Sequence, residues 1–303
     1  MSDPRPQDNA SDQGAHRPRR LGTIVNTATW ARLQERAARA KERPEPRELF
    51  LRGLRPHMRA MPNPIASSSL FAPVAQGKKK IYKDVELVTF RGTVIKFWGE
   101  QLDESQADVW MQAMDIAGKQ RLGEPVVIER SAFLQSINRH TGGNEYKWLL
   151  RTMTALSFAM LVIEVRKDGE LKLEVGKNRV LHMILGFDYD EETGVYTLRI
   201  DPRWREVYGD REFSLIDWNK RRQFGRGQNM AKALQRLIAT SADKVQRYGL
   251  EWLKDKLQYT CRIDKFRNSL RKAMDELERV GIIASGRLEI STRGKEQVVW
   301  IKL

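Results

Sequence analysis

The segment 262–280, RIDKFRNSLRKAMDELERV, constrains the fold more than any other part of the chain. Ile263, Phe266, Leu270, Ala273, Leu277 and Val280 recur at the spacing of one helix face, so the segment is expected to be a helix with a single apolar stripe turned to a core. Gly281 stands where a helix-terminating glycine belongs. Beyond it, 282–283, 287–290 and 297–303 read as strands, and Ser291-Thr292-Arg293-Gly294 joins the last two as a hairpin. Upstream, 214–242 reads as largely helical, interrupted near Gly225 and Gly227, with Leu234, Leu237 and Ile238 as its apolar face; 249–257 reads as a shorter helix.

The charges on the 262–280 helix run against helix stability. Arg262, Lys265, Arg267, Asn268, Arg271 and Lys272 crowd its N-terminal half, and Asp275, Glu276 and Glu278 its C-terminal half. The helix dipole favours the opposite order by about 0.3–1 kcal/mol per charge. A helix whose N-terminal half enters a DNA major groove resolves the conflict, because phosphates and guanine edges then surround the cations. Arg293 and Lys295 at the hairpin tip and Arg287 at its base suit the flanking phosphates. The net charge of +15 is unevenly spread: residues 1–80 hold 16 basic and 7 acidic side chains, 81–200 hold 15 and 18, and 201–303 hold 23 and 14. Two basic ends around a near-neutral middle point to a nucleic-acid partner.

The first half shows the same order of elements. After strands at 84–89 and 92–98 comes a helix opened by Asp103, with Gln106 as its capping-box partner and Gly118 at its end. A short strand at 125–128, a helix from Ser131 and a helix at 144–159 follow. On the last, Tyr146, Leu149, Met153 and Leu156 face inward and Lys147 and Arg151 lie on another face. Strands at 161–166 and 171–175 are joined by the hairpin signal Asp168-Gly169, and 180–188 and 196–200 read as further strands. Helix, strand, helix, helix, hairpin is the winged-helix order. The expected fold is therefore α+β, with two winged-helix domains in tandem after a flexible tail: residues 1–57 a basic tail, 58–80 a linker, 81–200 the first domain, and 201–303, after Asp201-Pro202, the second. At 303 residues the chain is long enough for two such cores.

Signals for catalysis are lacking. There is no P-loop, and Gly225-Arg226-Gly227 is a lone glycine pair. No nucleophile motif is recognisable. A nicking enzyme would need a nucleophilic tyrosine near a metal-binding histidine pair, and His16, His57, His140 and His182 lie far apart. Asp188, Asp190, Glu191 and Glu192, followed by Thr193-Gly194, read as a hairpin turn and not as a metal site. Most of the eight tryptophans are expected in cores. The single Cys261 excludes an internal disulfide framework. No apolar run reaches the roughly 18–20 residues of a membrane span, and the polar N-terminus is no secretory signal. The expectation is a cytoplasmic bacterial protein, not an enzyme, without cofactor or metal and without a membrane partner.

Several motifs resemble the TrfA-type plasmid replication initiators. They are Met58-Arg59-Ala60-Met61-Pro62-Asn63, then Ser69-Leu70-Phe71, GKKKI at 77–81, LDESQADVWMQAM at 102–114, LGEPV at 122–126 and TGGNEYKWL at 141–149. The resemblance continues more weakly to residue 303. It implies tandem winged helices that bind directly repeated iterons in double-stranded DNA at a plasmid origin. It also implies opening of an adjacent AT-rich segment, recruitment of the host initiator and replicative helicase, copy control, and a monomer–dimer equilibrium. Relatives contact the host sliding clamp through a glutamine-and-leucine motif ahead of the MRAMPN segment; here that place reads Pro46-Arg47-Glu48-Leu49-Phe50, with Leu49 and Phe50 retained and the leading glutamine absent. A winged-helix transcriptional repressor without initiation activity is the alternative that shares the same charge pattern.

Overall fold

A computed structural model of the protein describes Leu51 and residues 53–73, 79–90, 92–120, 123–209 and 212–303, together with Ala31 and Glu35. The chain divides into units 1–45 and 46–303; the architecture below is that of the second. The tail assigned to 1–57, the Leu49-Phe50 pair, Lys78 and Leu122 lie wholly or mostly outside the described residues.

Two hydrophobic cores make up the unit. The first is built from Leu51 to Trp218 and the second from Phe224 to Trp300. The second follows the order helix, strand, helix, helix, hairpin. Its elements are α7 (Asn229–Ala239), β13 (Val245–Gly249), α8 (Leu250–Lys256), α9 (Ile263–Arg279), β14 (Ile283–Ile290) and β15 (Glu296–Lys302). The strands form an antiparallel sheet, β13-β15-β14. The apolar stripe of α9 is buried as expected. Phe266, Leu270 and Leu277 are fully enclosed, each burial stabilising by roughly 1.5–3 kcal/mol. Gly281 ends the helix in the left-handed region, φ +69°. Strand β13 was not read from the sequence, because Val245, Arg247 and Gly249 face outward and only Gln246 and Tyr248 are buried.

The first core repeats that order. Its elements are α2 (Glu104–Ala117), β6 (Val126–Glu129), α3 (Arg130–Ser136), α4 (Gly143–Phe158), and a hairpin of β10 (Gly186–Asp190) and β11 (Val195–Arg199). The sheet order β10-β11-β6 matches β14-β15-β13 strand for strand. The capping box is present: Asp103 accepts from the Ser105 and Gln106 amides, and Gln106 Oε1 accepts from the Asp103 amide at 2.9 Å. Helix α2 does end at Gly118, but with φ −65°; the glycine is needed there because a Cβ would meet Leu51 Cβ at 2.8 Å.

The structure corrects three sequence expectations. First, the Asp168-Gly169 turn is real, with φ +54° and +85°, yet its hairpin is not the counterpart of the C-terminal one. Strands β7 (Met160–Lys167) and β8 (Glu170–Val175) join β3 (Ile81–Glu86) and β4 (Thr93–Glu100) in a separate sheet, with β9 (Leu181–His182) on β7. The matching hairpin is β10–β11, whose tip is the acidic turn Asp190–Gly194.

Second, 58–80 is not simply a linker. Strand β1 (Met58–Pro62), the short helix α1 (Asn63–Ser67) and β2 (Phe71–Ala72) are largely buried, and β2 pairs in parallel with β5 (Leu102–Asp103).

Third, 213–217 is a strand and not the start of a helix. As β12 (Phe213–Asp217) it pairs antiparallel with β1, and α5 (Trp204–Val207), β12 and Trp218 complete the first core. The cores therefore meet at 218–224, not at 200–201. Asp201-Pro202 marks a change of charge and a turn, but which core a side chain enters depends on its distant partners.

A buried polar network fastens the two cores. Arg221, on α6 (Trp218–Arg222), donates to Glu104 at 2.9 Å and to Asp108. Arg236 on α7 also donates to Glu104, and to the Phe71 carbonyl at 2.8 Å. Lys232 reaches Asp108 at 2.5 Å. Glu104, Arg221 and Arg236 are at most 1% exposed. Every buried side-chain nitrogen and oxygen among the described residues has a partner, as burial of charge requires.

Lys256, equally buried, donates to the Ser68 carbonyl at 3.2 Å. Burial, with the like charge of Arg236, lowers its amine from 10.5 to about 7, while Glu104 pulls it back up. The unfolded chain therefore holds the extra proton between pH 7 and 10.5, and stability rises with pH across that window. Lys256→Met is expected to abolish this rise. Urea midpoints of both proteins at pH 6.5, 8 and 9.5 check it, and parallel pH profiles would show that Lys256 does not titrate there.

Candidate nucleic-acid interface

Folding α9 around its stripe leaves one face outward. Arg262, Lys265, Asn268, Arg271 and Lys272 are exposed on it. Only a 3.2 Å bond from Arg271 to Asn268 joins these side chains, and none of the four cations has an acidic partner among the described residues. Arg267 is different: it bridges to Asp264 on its own helix and to Glu296 at 2.6 Å. Its guanidinium is occupied, and it acts as a tie between α9 and the first residue of β15. Because Glu296 follows Lys295 directly, that tie sets the hairpin tip beside the N-terminal half of α9. Arg293 and Lys295 at the tip are exposed without an acidic partner among the described residues, whereas Arg287 pairs with Glu289 at 3.1 Å. The structure thus brings helix face and hairpin tip together as one cationic surface. Two of the expected residues, Arg267 and Arg287, are held by carboxylates.

The corresponding surface of the first core has a different charge. Lys147 and Arg151 are exposed on α4, with no acidic partner among the described residues. The β10–β11 tip, however, is acidic. Asp190 accepts from Thr193 Oγ1 at 2.7 Å and from the Thr193 and Glu192 amides, bonds that hold its carboxyl below the usual range. Asp188 is neutralised by Arg199 at 2.6 Å; Glu191 and Glu192 are exposed. This tip repels phosphate where the C-terminal tip attracts it.

A third feature escaped the sequence analysis. A cleft of about 530 Å³ lies between the α3–α4 turn and the loop after α6, lined by Arg139, His140, Arg222 and Arg226 among others. The sequence signal was the basic stretch 220–227, KRRQFGRG, which charge counting merged with the C-terminal half.

Tryptophan indoles confirm a packing role for most of these rings. Trp110, Trp148, Trp204, Trp218 and Trp300, five of the eight, are buried, and all of these but Trp148 donate the indole N–H to a protein oxygen. Among the described residues no group of three or more His, Cys, Asp or Glu is placed to hold a metal, and no helix is long and apolar enough to cross a membrane.

The fold class is mixed α and β, and solved structures share it. Seventeen solved chains match it. Domains 2 and 3 of RctB, solved as selenomethionine derivatives, superpose with a TM-score of 0.50 at 11% identity, over 78% of this chain and 96% of that one. Another structure of RctB domains 2–3 gives 0.46 at 12% identity, over 77% and 95%. No protein-family model and no curated protein sequence matches the chain. The first likeness shows a shared fold.

Proposed function

We propose that the protein is a plasmid replication initiator that binds repeated DNA sites at an origin through two winged-helix domains and catalyses no reaction of its own. The observation that carries this reading is the unpaired cationic face of α9 beside the Arg293–Lys295 tip, on a helix followed by a hairpin. The repeated order of elements in the first core supports a tandem winged helix. The motif resemblance supports initiation in place of simple repression, together with iteron binding, monomer–dimer control and recruitment of the host initiator and helicase from the cytoplasm. Contact with the sliding clamp through Leu49 and Phe50 belongs to the same proposal.

The two domains divide the labour: α9 reads bases, and α4, through Lys147 and Arg151, holds phosphate. Alanine variants at Arg262, Lys265, Asn268 and Arg271, titrated against single-base changes in the origin repeat, test it. Loss of one bidentate base contact is expected to cost about 1–3 kcal/mol and to relax preference at one base pair. Arg151→Ala is expected to weaken matched and scrambled repeats alike, and Asp275→Ala to do little. If no α9 variant changes base preference while Asp275→Ala does, the reading face has been placed at the wrong end of the helix.

A further inference from the structure

We propose that the segment joining the two cores is itself a DNA-contacting element, in which Arg222 and Arg226, with His140 opposite, grip the phosphodiester backbone at the N-terminal end of α4. The proposal rests on the DNA-binding reading above and adds a site to it.

The cleft is built from both sides. Asn138 Nδ2, in the α3–α4 turn, donates to the Arg222 carbonyl at 2.9 Å. Arg279 Nη2, at the end of α9, donates to the Gln223 carbonyl at 2.9 Å, and Lys220 Nζ donates to the Gly281 carbonyl at 2.6 Å. The loop backbone is thus fixed against the helix pair of one core and the long helix of the other.

The charges in the cleft are sorted. Asp108 is taken by Arg221 and Lys232, Glu145 by Arg139 at 2.7 Å, and Asp103 by Lys79 at 2.9 Å. Every lining carboxylate has its own cation. Arg222 and Arg226 remain exposed, with no acidic partner among the described residues. The contrast with Arg221, buried at 1% exposure and fully paired one residue earlier, separates a structural arginine from two that await an anion.

The approach to the cleft is open. Helix α4 starts at Gly143 after Gly142, with no side chain capping its first amides. A Cβ added at Gly142, Gly143, Gly225 or Gly227 would meet nothing within 4 Å. The backbone at these glycines is therefore open to an acceptor such as a phosphate. The exposed Asn144, Lys147 and Arg151 continue from that end along α4. Exposed cations on α4 as well as in the cleft favour a polymer backbone, which can meet several of them at once, over a free nucleotide.

The test uses the full chain, comparing wild type with the double variant Arg222→Ala/Arg226→Ala by fluorescence anisotropy. Duplexes carrying the origin repeat and a scrambled repeat are titrated between 50 and 200 mM salt. The double variant is expected to bind both duplexes about tenfold or more weaker. Its plot of log affinity against log salt should be shallower by nearly two, at about 0.9 per lost phosphate contact. Base preference and thermal midpoint should be unchanged, and Arg222→Lys/Arg226→Lys should recover most of the slope. Unchanged affinity and slope, with wild type binding normally, would overturn the proposal. So would inorganic phosphate binding that the double variant abolishes while duplex binding stays intact. Wild type that binds no duplex would instead remove the DNA reading beneath it.

Discussion

Replacing Glu104 by alanine is expected to lower stability by about 3–5 kcal/mol, the usual effect of breaking a buried ion pair from one side. Glu104 is fully buried and accepts from both Arg221 and Arg236. Its removal leaves two guanidinium groups in the interior, with the Lys256 amine close to Arg236. Asp108 compensates Arg221, but Arg236 keeps only carbonyl and thioether acceptors at Phe71, Ala66 and Met61. The network also couples the two cores, so the variant is expected to unfold in two transitions where the wild type unfolds in one. Urea denaturation followed by tryptophan fluorescence reads both, because Trp110 and Trp204 report on the first core and Trp300 on the second. A loss below about 1 kcal/mol with a single transition would mean that apolar contacts, not this network, hold the cores together. Charge burial of this kind contributes orientation more than net stability. It ties α2 to α6 and α7, and so orients the two cores that carry the proposed contacts.

Affinity for DNA is expected to fall steeply with salt. Lys272, Arg293, Lys295, Lys147, Arg151, Arg222 and Arg226, the cations assigned to phosphate, are all exposed and without an acidic partner among the described residues. If most of them meet phosphate, each releases counterions, and six to ten such contacts correspond to a loss of about 10³–10⁵ in affinity between 50 and 200 mM salt. Arg267 and Arg287 are expected to contribute little to the slope, because carboxylates already neutralise them. Equilibrium titrations at four salt concentrations give the slope directly. A nearly flat line would remove duplex DNA as the principal partner.

The acidic β10–β11 tip bears on both results. The hairpin tips of the two cores carry opposite charge, so under the proposed function the cores are expected to meet DNA differently. The C-terminal core presents helix and tip together. The first core is expected to present its helix and, through the joining segment, Arg222 and Arg226, with its acidic tip turned from the phosphates.

The sequence by itself determined what depends on near neighbours. The stripe of α9, the Asp103–Gln106 capping box, the Gly281 stop and the Asp168-Gly169 turn are each decided within about one or two helical turns, so their signals survive in a linear reading. The reversed charge order on α9 was equally legible, and with it most of the candidate interface. Only the tertiary structure decided which of two hairpins belongs to β6, since β7–β8 and β10–β11 look alike until a third strand selects one. It also decided that β1 pairs with β12 from the far end of the first core, an association with no local signature. It separated cations of identical type into buried ties and exposed contacts: Arg221 from Arg222, and Arg267 from Lys265. Periodicity is fixed by covalent neighbours, but strand pairing and the partner of a charge are fixed by residues that only folding brings near.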